Sequence, residues 1–174
     1  MIITLIGYMG SGKSFIGKQL AHQLSFPFID LDFYIEEKEK KSIASLFKEK
    51  GEIYFRKSEH YALLEILKNP SNCILSLGGG TPCFYDNMKH INQNSISFYL
   101  KNSISTLSTR LQIEKEHRPI ISHLKDEQIP EFIAKHLFER RFFYEKATYT
   151  LEVDQQPLEK TLDFIQSVYK EKMG

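Results

Sequence analysis

The stretch Ile2-Ile3-Thr4-Leu5-Ile6-Gly7-Tyr8-Met9-Gly10-Ser11-Gly12-Lys13-Ser14-Phe15-Ile16, running on to Leu24, decides the fold class. Ile2 to Ile6 is a short apolar run of the kind that forms a strand buried on both faces. Lys13 to Leu24 carries Ile16, Leu20 and Leu24 at helical spacing. Between the two, Gly7 to Ser14 fits G-x-x-x-x-G-K-[ST] at every fixed position, with a strand before it and a helix after it. Glycines let successive backbone N–H groups curl around an anion, and the helix that follows adds its positive end. Gly10, Ser11 and Gly12 therefore read as a phosphate cradle. Lys13 supplies a mobile charge to the β- and γ-phosphates, and Ser14 a hydroxyl to Mg²⁺. The motif implies a nucleoside triphosphate and leaves the acceptor of the phosphate open.

Outward from this loop, apolar runs alternate with helical patterns. Phe26–Leu31, Cys73–Leu77, Ser95–Leu100 and Tyr149–Val153 read as strands. Ser42 reads as the N-cap of a helix over Ile43–Lys50, which Gly51 stops. Glu52–Leu67, Ser103–Gln112 and Ile129–Lys146 are helical, and a last helix aligns Leu158, Leu162, Ile165 and Tyr169. Such alternation implies parallel pairing through right-handed crossovers, an open α/β sheet with helices on both faces. Ligands of such sheets bind beyond the carboxyl ends of the strands.

The chain has 174 residues, of which 41% are hydrophobic and 26% charged, so collagen-like, disordered and disulfide-scaffold classes are excluded. Lys+Arg 23 against Asp+Glu 22 gives a net charge of +1, so no global field draws it to nucleic acid or membrane. Cys73 and Cys83 read as reduced thiols. No signal peptide and no run of ~18 apolar residues is present, so a cytoplasmic, soluble, monomeric protein is expected.

Two further strand ends, and three arginines outside the strands, carry chemistry-bearing residues. Phe28-Ile29-Asp30-Leu31-Asp32 leaves its strand with two carboxylates that period-two geometry puts on one side. A cation beside the phosphates relieves their repulsion, with Asp30 next to the metal and Asp32 free to accept a proton from a hydroxyl. The alternative is Asp32 as the N-cap of a helix from Phe33. Leu77-Gly78-Gly79-Gly80 suits close approach of a ligand to the backbone. Arg56, with Glu59 at i+3, and Arg118 and Arg140 suggest anion recognition. Phe15, Phe26, Phe28, Phe98 and Phe164 are expected in the core.

These segments together resemble the shikimate kinase family from the first strand to the last helix. The resemblance rests on Gly7–Ser14, on Asp30-Leu31-Asp32-Phe33-Tyr34-Ile35-Glu36, on Ser42-Ile43 through Phe47 with Gly51-Glu52, Phe55-Arg56 and Glu59, and on Leu77–Gly80. It implies a five-stranded parallel sheet of nucleoside monophosphate kinase type. It implies one kinase domain over 1–174, with an acceptor-binding region at 31–60 and a mobile lid at about 112–124. The implied reaction is ATP-dependent phosphorylation of shikimate at its 3-hydroxyl, a step toward chorismate and the aromatic amino acids. By position Asp32 is the base, Lys13 and Arg118 meet the phosphates, and Ser14 and Asp30 serve Mg²⁺. Gly10, Ser11, Gly12, Phe15, Arg110 and Gln155 join Lys13, Ser14 and Arg118 in binding ATP. Arg110 faces the adenine from one side and the loop Asp154 to Pro157 from the other. Gly78, Gly79, Gly80, Arg56 and Arg140 meet shikimate with Asp32, although Arg141 adjoins Arg140 and could take its place. Rival readings are another small-molecule kinase, acting on gluconate or a nucleotide, and a nucleotide-binding switch.

Overall fold

In the computed structural model, residues 1–69, 71–118, 120–154 and 156–173 are described. Five strands pair in the order β2-β3-β1-β4-β5, and every pairing is parallel. They are β1 (Ile2–Ile6), β2 (Phe28–Asp30), β3 (Cys73–Ser76), β4 (Ser95–Lys101) and β5 (Tyr149–Glu152). The helices are α1 (Lys13–Leu24), α2 (Leu31–Glu39), α3 (Ile43–Leu67), α4 (Asn87–Asn94), α5 (Ile104–Ile113), α6 (Ile129–Tyr144) and α7 (Leu158–Met173).

β1 is central, and its residues are buried throughout. Alternation sends Ile2 and Ile6 to one face and Ile3 and Leu5 to the other, where two separate cores form. The first core takes Leu46, Leu63, Leu111 and Ile133 from α3, α5 and α6. The second takes Ile16 and Leu20 from α1 with Leu162, Ile165 and Val168 from α7. Burying one such side chain contributes roughly 1.5–3 kcal/mol, so the two faces fix the sheet and with it the loops at its carboxyl edge.

Local sequence explains the element ends. Ser42 and Ser103 accept hydrogen bonds from the Ser45 and Thr106 amides and so cap α3 and α5. α3 is interrupted at Gly51, whose φ of 79° and ψ of 173° separate the two helices expected there.

Several expectations are corrected. The second strand ends at Asp30, and Leu31 already opens α2. The cap of α2 is Asp30, whose Oδ1 accepts from the Asp32 and Phe33 amides at 3.1 and 3.5 Å, and not Asp32. Asp30 and Asp32 are thus brought together by a strand-to-helix turn and not by strand alternation. Phe15 and Phe164 are exposed, whereas Phe98 is fully buried and Phe26 and Phe28 pack partly buried on the second core. α4 forms over Asn87–Asn94, where the sequence reading assigned no element; its sequence is largely polar, with Met88 and Ile91 turned inward. Among the described residues no helix is long and apolar enough to cross a membrane.

Candidate active site

Loops at the carboxyl edges of β1, β2 and β3, with α5 and the segment after β5, enclose a cleft of about 810 Å³. The loop after β1 wraps its mouth. Gly10 and Gly12 have φ of 78° and 91°, the left-handed region that only glycine enters freely, and Gly12 caps α1 in that conformation. Lys13 is buried, and its Nζ donates to the Gly7 and Tyr8 carbonyls, both at 2.9 Å. Burial pushes its pKa down to about 8; Asp32 opposes this, Arg118 adds to it and Asp30 opposes it. It remains a cation at neutral pH. Ser14, exposed to the cleft, donates its Oγ to Asp30 Oδ2 at 3.1 Å. Asp30 therefore splits its work: Oδ1 caps α2 while Oδ2 stands beside the phosphate loop.

Asp32 lines the same cleft, in the first turn of α2. Burial raises its pKa to about 6, reinforced by the carboxylates of Asp30 and Glu59 and opposed by Lys13 and Arg56. Its Oδ1 lies 2.7 Å from where a Cβ on Gly78 would stand, so that glycine makes room for the carboxylate. Asp32 is thus ionised at neutral pH yet basic enough to take up a proton.

The glycine run beyond β3 is pressed between two arginines. Arg56 Nη2 lies 2.6 Å from the Cβ position of Gly80, so a side chain there would push the guanidinium aside, and Arg140 Nη1 lies 3.7 Å from that of Gly79. Arg56 Nη1 donates to Glu59 Oε2 at 2.9 Å, and its guanidinium carbon lies 4.1 Å from the Phe84 ring centroid. Arg140 sits over Tyr8 at 5.8 Å. Arg141 points away, exposed and paired with Glu145 at 2.6 Å.

At the opposite side of the cleft, Arg110 Nη1 donates to the Gly10 carbonyl at 2.9 Å. Arg118 lines the cleft too, with Nε and Nη2 on Glu114 Oε2 at 2.8 and 2.5 Å. Asp154 accepts from the Ser103 amide and the Thr106 hydroxyl, tying the segment after β5 to the start of α5. Burial disfavours its charge, but these bonds prevail and hold its carboxyl below the ordinary range. Within the segment 112–124, Ile121 is fully buried.

A pre-formed phosphate loop, a basic carboxylate and a pair of arginines on a glycine turn now stand in one place. The shikimate kinase family description matches residues 9–169. The shikimate kinase of Flavobacterium johnsoniae is 46% identical over 94% of this chain and 95% of its own. A crystal structure of shikimate kinase from Bacteroides thetaiotaomicron superposes with a TM-score of 0.90 at 38% identity, covering 98% of each chain. One from Acinetobacter baumannii, in complex with shikimate, gives 0.85 at 30% identity over 98% of this chain and 93% of that one. The chain belongs to the shikimate kinase family. Its open parallel sheet is the family's fold, and its phosphoryl donor is ATP.

For this family member, the cleft gathers Gly10, Ser11, Gly12, Lys13, Ser14, Phe15, Asp30, Asp32, Gly78, Gly79, Arg110 and Arg118. Arg56, Gly80 and Arg140 stand against its glycine turn. Gln155 lies outside the described residues. Sequence reasoning missed Tyr144, whose hydroxyl donates to the Gly79 carbonyl at 2.6 Å. Burial drives its pKa far up, so it stays a donor. Its place one helical turn after Arg140 was the available signal. Also missed was His136, whose Nδ1 lies 3.1 Å from the Tyr8 hydroxyl.

Proposed function

We propose that the cleft transfers the γ-phosphoryl group of ATP to the 3-hydroxyl of shikimate, giving shikimate 3-phosphate and ADP. The observation that carries this reading is the pair of arginines on the glycine turn beside Asp32. Phosphate chemistry alone employs Lys13 and Arg118 and leaves Arg56 and Arg140 idle. A small polyol bearing a carboxylate employs them, because guanidinium forks bind carboxylates through paired charge-assisted hydrogen bonds.

In this reading catalysis is mainly positioning and charge stabilisation. The loop amides of Gly10, Ser11 and Gly12 and the Lys13 ammonium hold the phosphates. Arg118 meets the charge that grows on the transferred group, after leaving Glu114. Asp32 accepts the hydroxyl proton as the oxygen attacks, a task that suits a carboxyl with a pKa of about 6. Arg110 and the Asp154 segment border the nucleoside end. The Ser14 hydroxyl and Asp30 Oδ2, side by side at the phosphate loop, are the oxygen ligands that would hold a hard cation there. Mg²⁺ bound there supplies neutralisation of the β- and γ-oxygens. A cytoplasmic location is part of the proposal, supported by two free thiols, Cys73 and Cys83, and so is a monomeric state.

The test is ADP release with ATP and Mg²⁺, with and without shikimate, beside gluconate and a nucleoside monophosphate. Shikimate-dependent release with neither rival acceptor active is the expected result. Equal release with gluconate overturns the assignment of the acceptor.

A further inference from the structure

Glu59 is a carboxylate with 1% exposure, and both of its oxygens are spoken for. Oε2 accepts from Arg56 Nη1 at 2.9 Å and Oε1 from the Thr81 hydroxyl at 2.7 Å. Thr81 is itself fully buried and rigidly placed. Its amide donates to the Gly78 carbonyl at 3.1 Å, closing the glycine turn. Its carbonyl accepts from Asn87 Nδ2 at 2.8 Å, and the buried Asn87 turns its Oδ1 to His60 Nδ1 at 2.6 Å. α4, a helix the sequence reading did not assign, thus holds the turn from behind.

We propose that Thr81 is a positioning residue of the acceptor pocket, whose hydroxyl holds Glu59 to a single contact with Arg56 and so keeps the outer guanidinium edge for the acceptor's carboxylate. This rests on Arg56 as a ligand of that carboxylate. Among the described residues Arg56 Nη2 makes no hydrogen bond, and Nε only leans on Glu52 at 3.4 Å. Without the Thr81 hydroxyl, Oε1 becomes a buried acceptor with no donor. The guanidinium it already touches offers the remaining N–H groups, and the carboxylate turns into a two-pronged pair with it. The edge meant for the acceptor is then occupied from within.

The experiment compares Thr81→Val, Thr81→Ala and Thr81→Ser in steady-state kinetics, varying shikimate and ATP separately, with urea midpoints for each. The Val variant keeps the shape and loses the hydroxyl. Its KM for shikimate is expected to rise about ten- to a hundred-fold, the range for a hydrogen bond to a charged group, with kcat and KM for ATP within about twofold. The Ser variant restores the hydroxyl and is expected within about threefold of wild type. An unchanged KM for shikimate in a folded Val or Ala variant overturns the proposal. So does a Ser variant as impaired as Val, or a failure of both Val and Ala variants to fold, since the hydroxyl is then structural. Wild-type protein that releases no ADP with shikimate overturns the underlying reading of function instead, and the two failures are distinguishable.

Discussion

Arg56 with Glu59 and Arg118 with Glu114 are the same chemical pair in different surroundings. In the first, the side chains are 13% and 1% exposed, an aromatic ring covers the guanidinium and Thr81 holds the far carboxylate oxygen. In the second they are 34% and 48% exposed, and the partners sit four residues apart on one turn of chain. A buried pair that loses one partner leaves a charge without solvent, whereas an exposed pair is worth little and is exchanged easily. The difference fits two tasks. A pocket for a fixed substrate group gains from a pre-set guanidinium, and a group that must reach a phosphoryl as it transfers gains from a partner it can leave.

The largest test extends the buried set to Asp32. Asp32→Asn keeps the shape and removes the base, and kcat is expected to fall roughly 10²–10⁴-fold, with ATP binding by isothermal titration little changed. The same variant should be more stable without ligands. The ordinary carboxyl titrates at 3.8 and the folded one at about 6, so between those values the folded protein binds more protons than the unfolded chain. Stability therefore falls as pH rises from about 4 to 6, and the loss persists above 6. Removing the charge recovers about 1–3 kcal/mol at pH 7, read as a higher Tm. Wild-type kcat/KM should decline tenfold per pH unit below about 6, and a flat profile there sinks the base assignment.

Next comes the buried pair itself. Arg56→Lys keeps a charge and loses the fork. Its kcat/KM for shikimate is expected to drop about ten- to a hundred-fold, the range for a lost hydrogen bond to a charged group, because an ammonium cannot reproduce the two parallel N–H donors. Shikimate methyl ester with the wild-type protein should lose a comparable factor. Both changes should spare ATP binding, and an ester as good as the acid breaks the comparison at its buried end.

The exposed arginine should matter through rate. Arg118→Ala is expected to lower kcat by about 10²-fold, toward the low end for losing one donor aimed at transition-state charge. KM for shikimate should move much less. A change confined to KM makes Arg118 a binding residue like Arg56.

This division was only partly legible in the sequence. Gly7–Ser14 could be read because its chemistry is local: a strand, a tight loop and a helix within one short stretch. Asp30 and Asp32 were identified, but for the wrong geometric reason, because a two-residue step looks the same in a strand and across a strand-to-helix turn. Thr81 and Tyr144 were missed because their partners, Glu59 and Gly79, lie 22 and 65 residues away. Long-range pairing of that kind leaves no periodicity. Phe15 and Phe164 were misplaced because an aromatic residue at helical spacing serves a cleft wall or an outer face as readily as a core.

The smallest effect gives the sharpest test of the exposed end. Among the described residues Glu114 is the one side chain that holds the Arg118 guanidinium, so nucleotide phosphates compete with Glu114 for it. Glu114→Gln removes the charge and keeps the shape. An exposed pair of this kind is worth about 0.2–1 kcal/mol. KM for ATP is therefore expected to fall by a factor of about 1.4 to 5, with KM for shikimate unmoved. Salt should shrink the difference, since screening weakens an exposed pair far more than a buried one. The parallel change at the buried pair, Glu59→Gln, should act the opposite way. It loosens the buried brace by which Glu59 fixes Arg56 against the glycine turn, and so raises KM for shikimate, with little dependence on salt. If Glu114→Gln raises KM for ATP, Glu114 orients Arg118 toward the phosphates instead of competing for it, and the two pairs are then built alike.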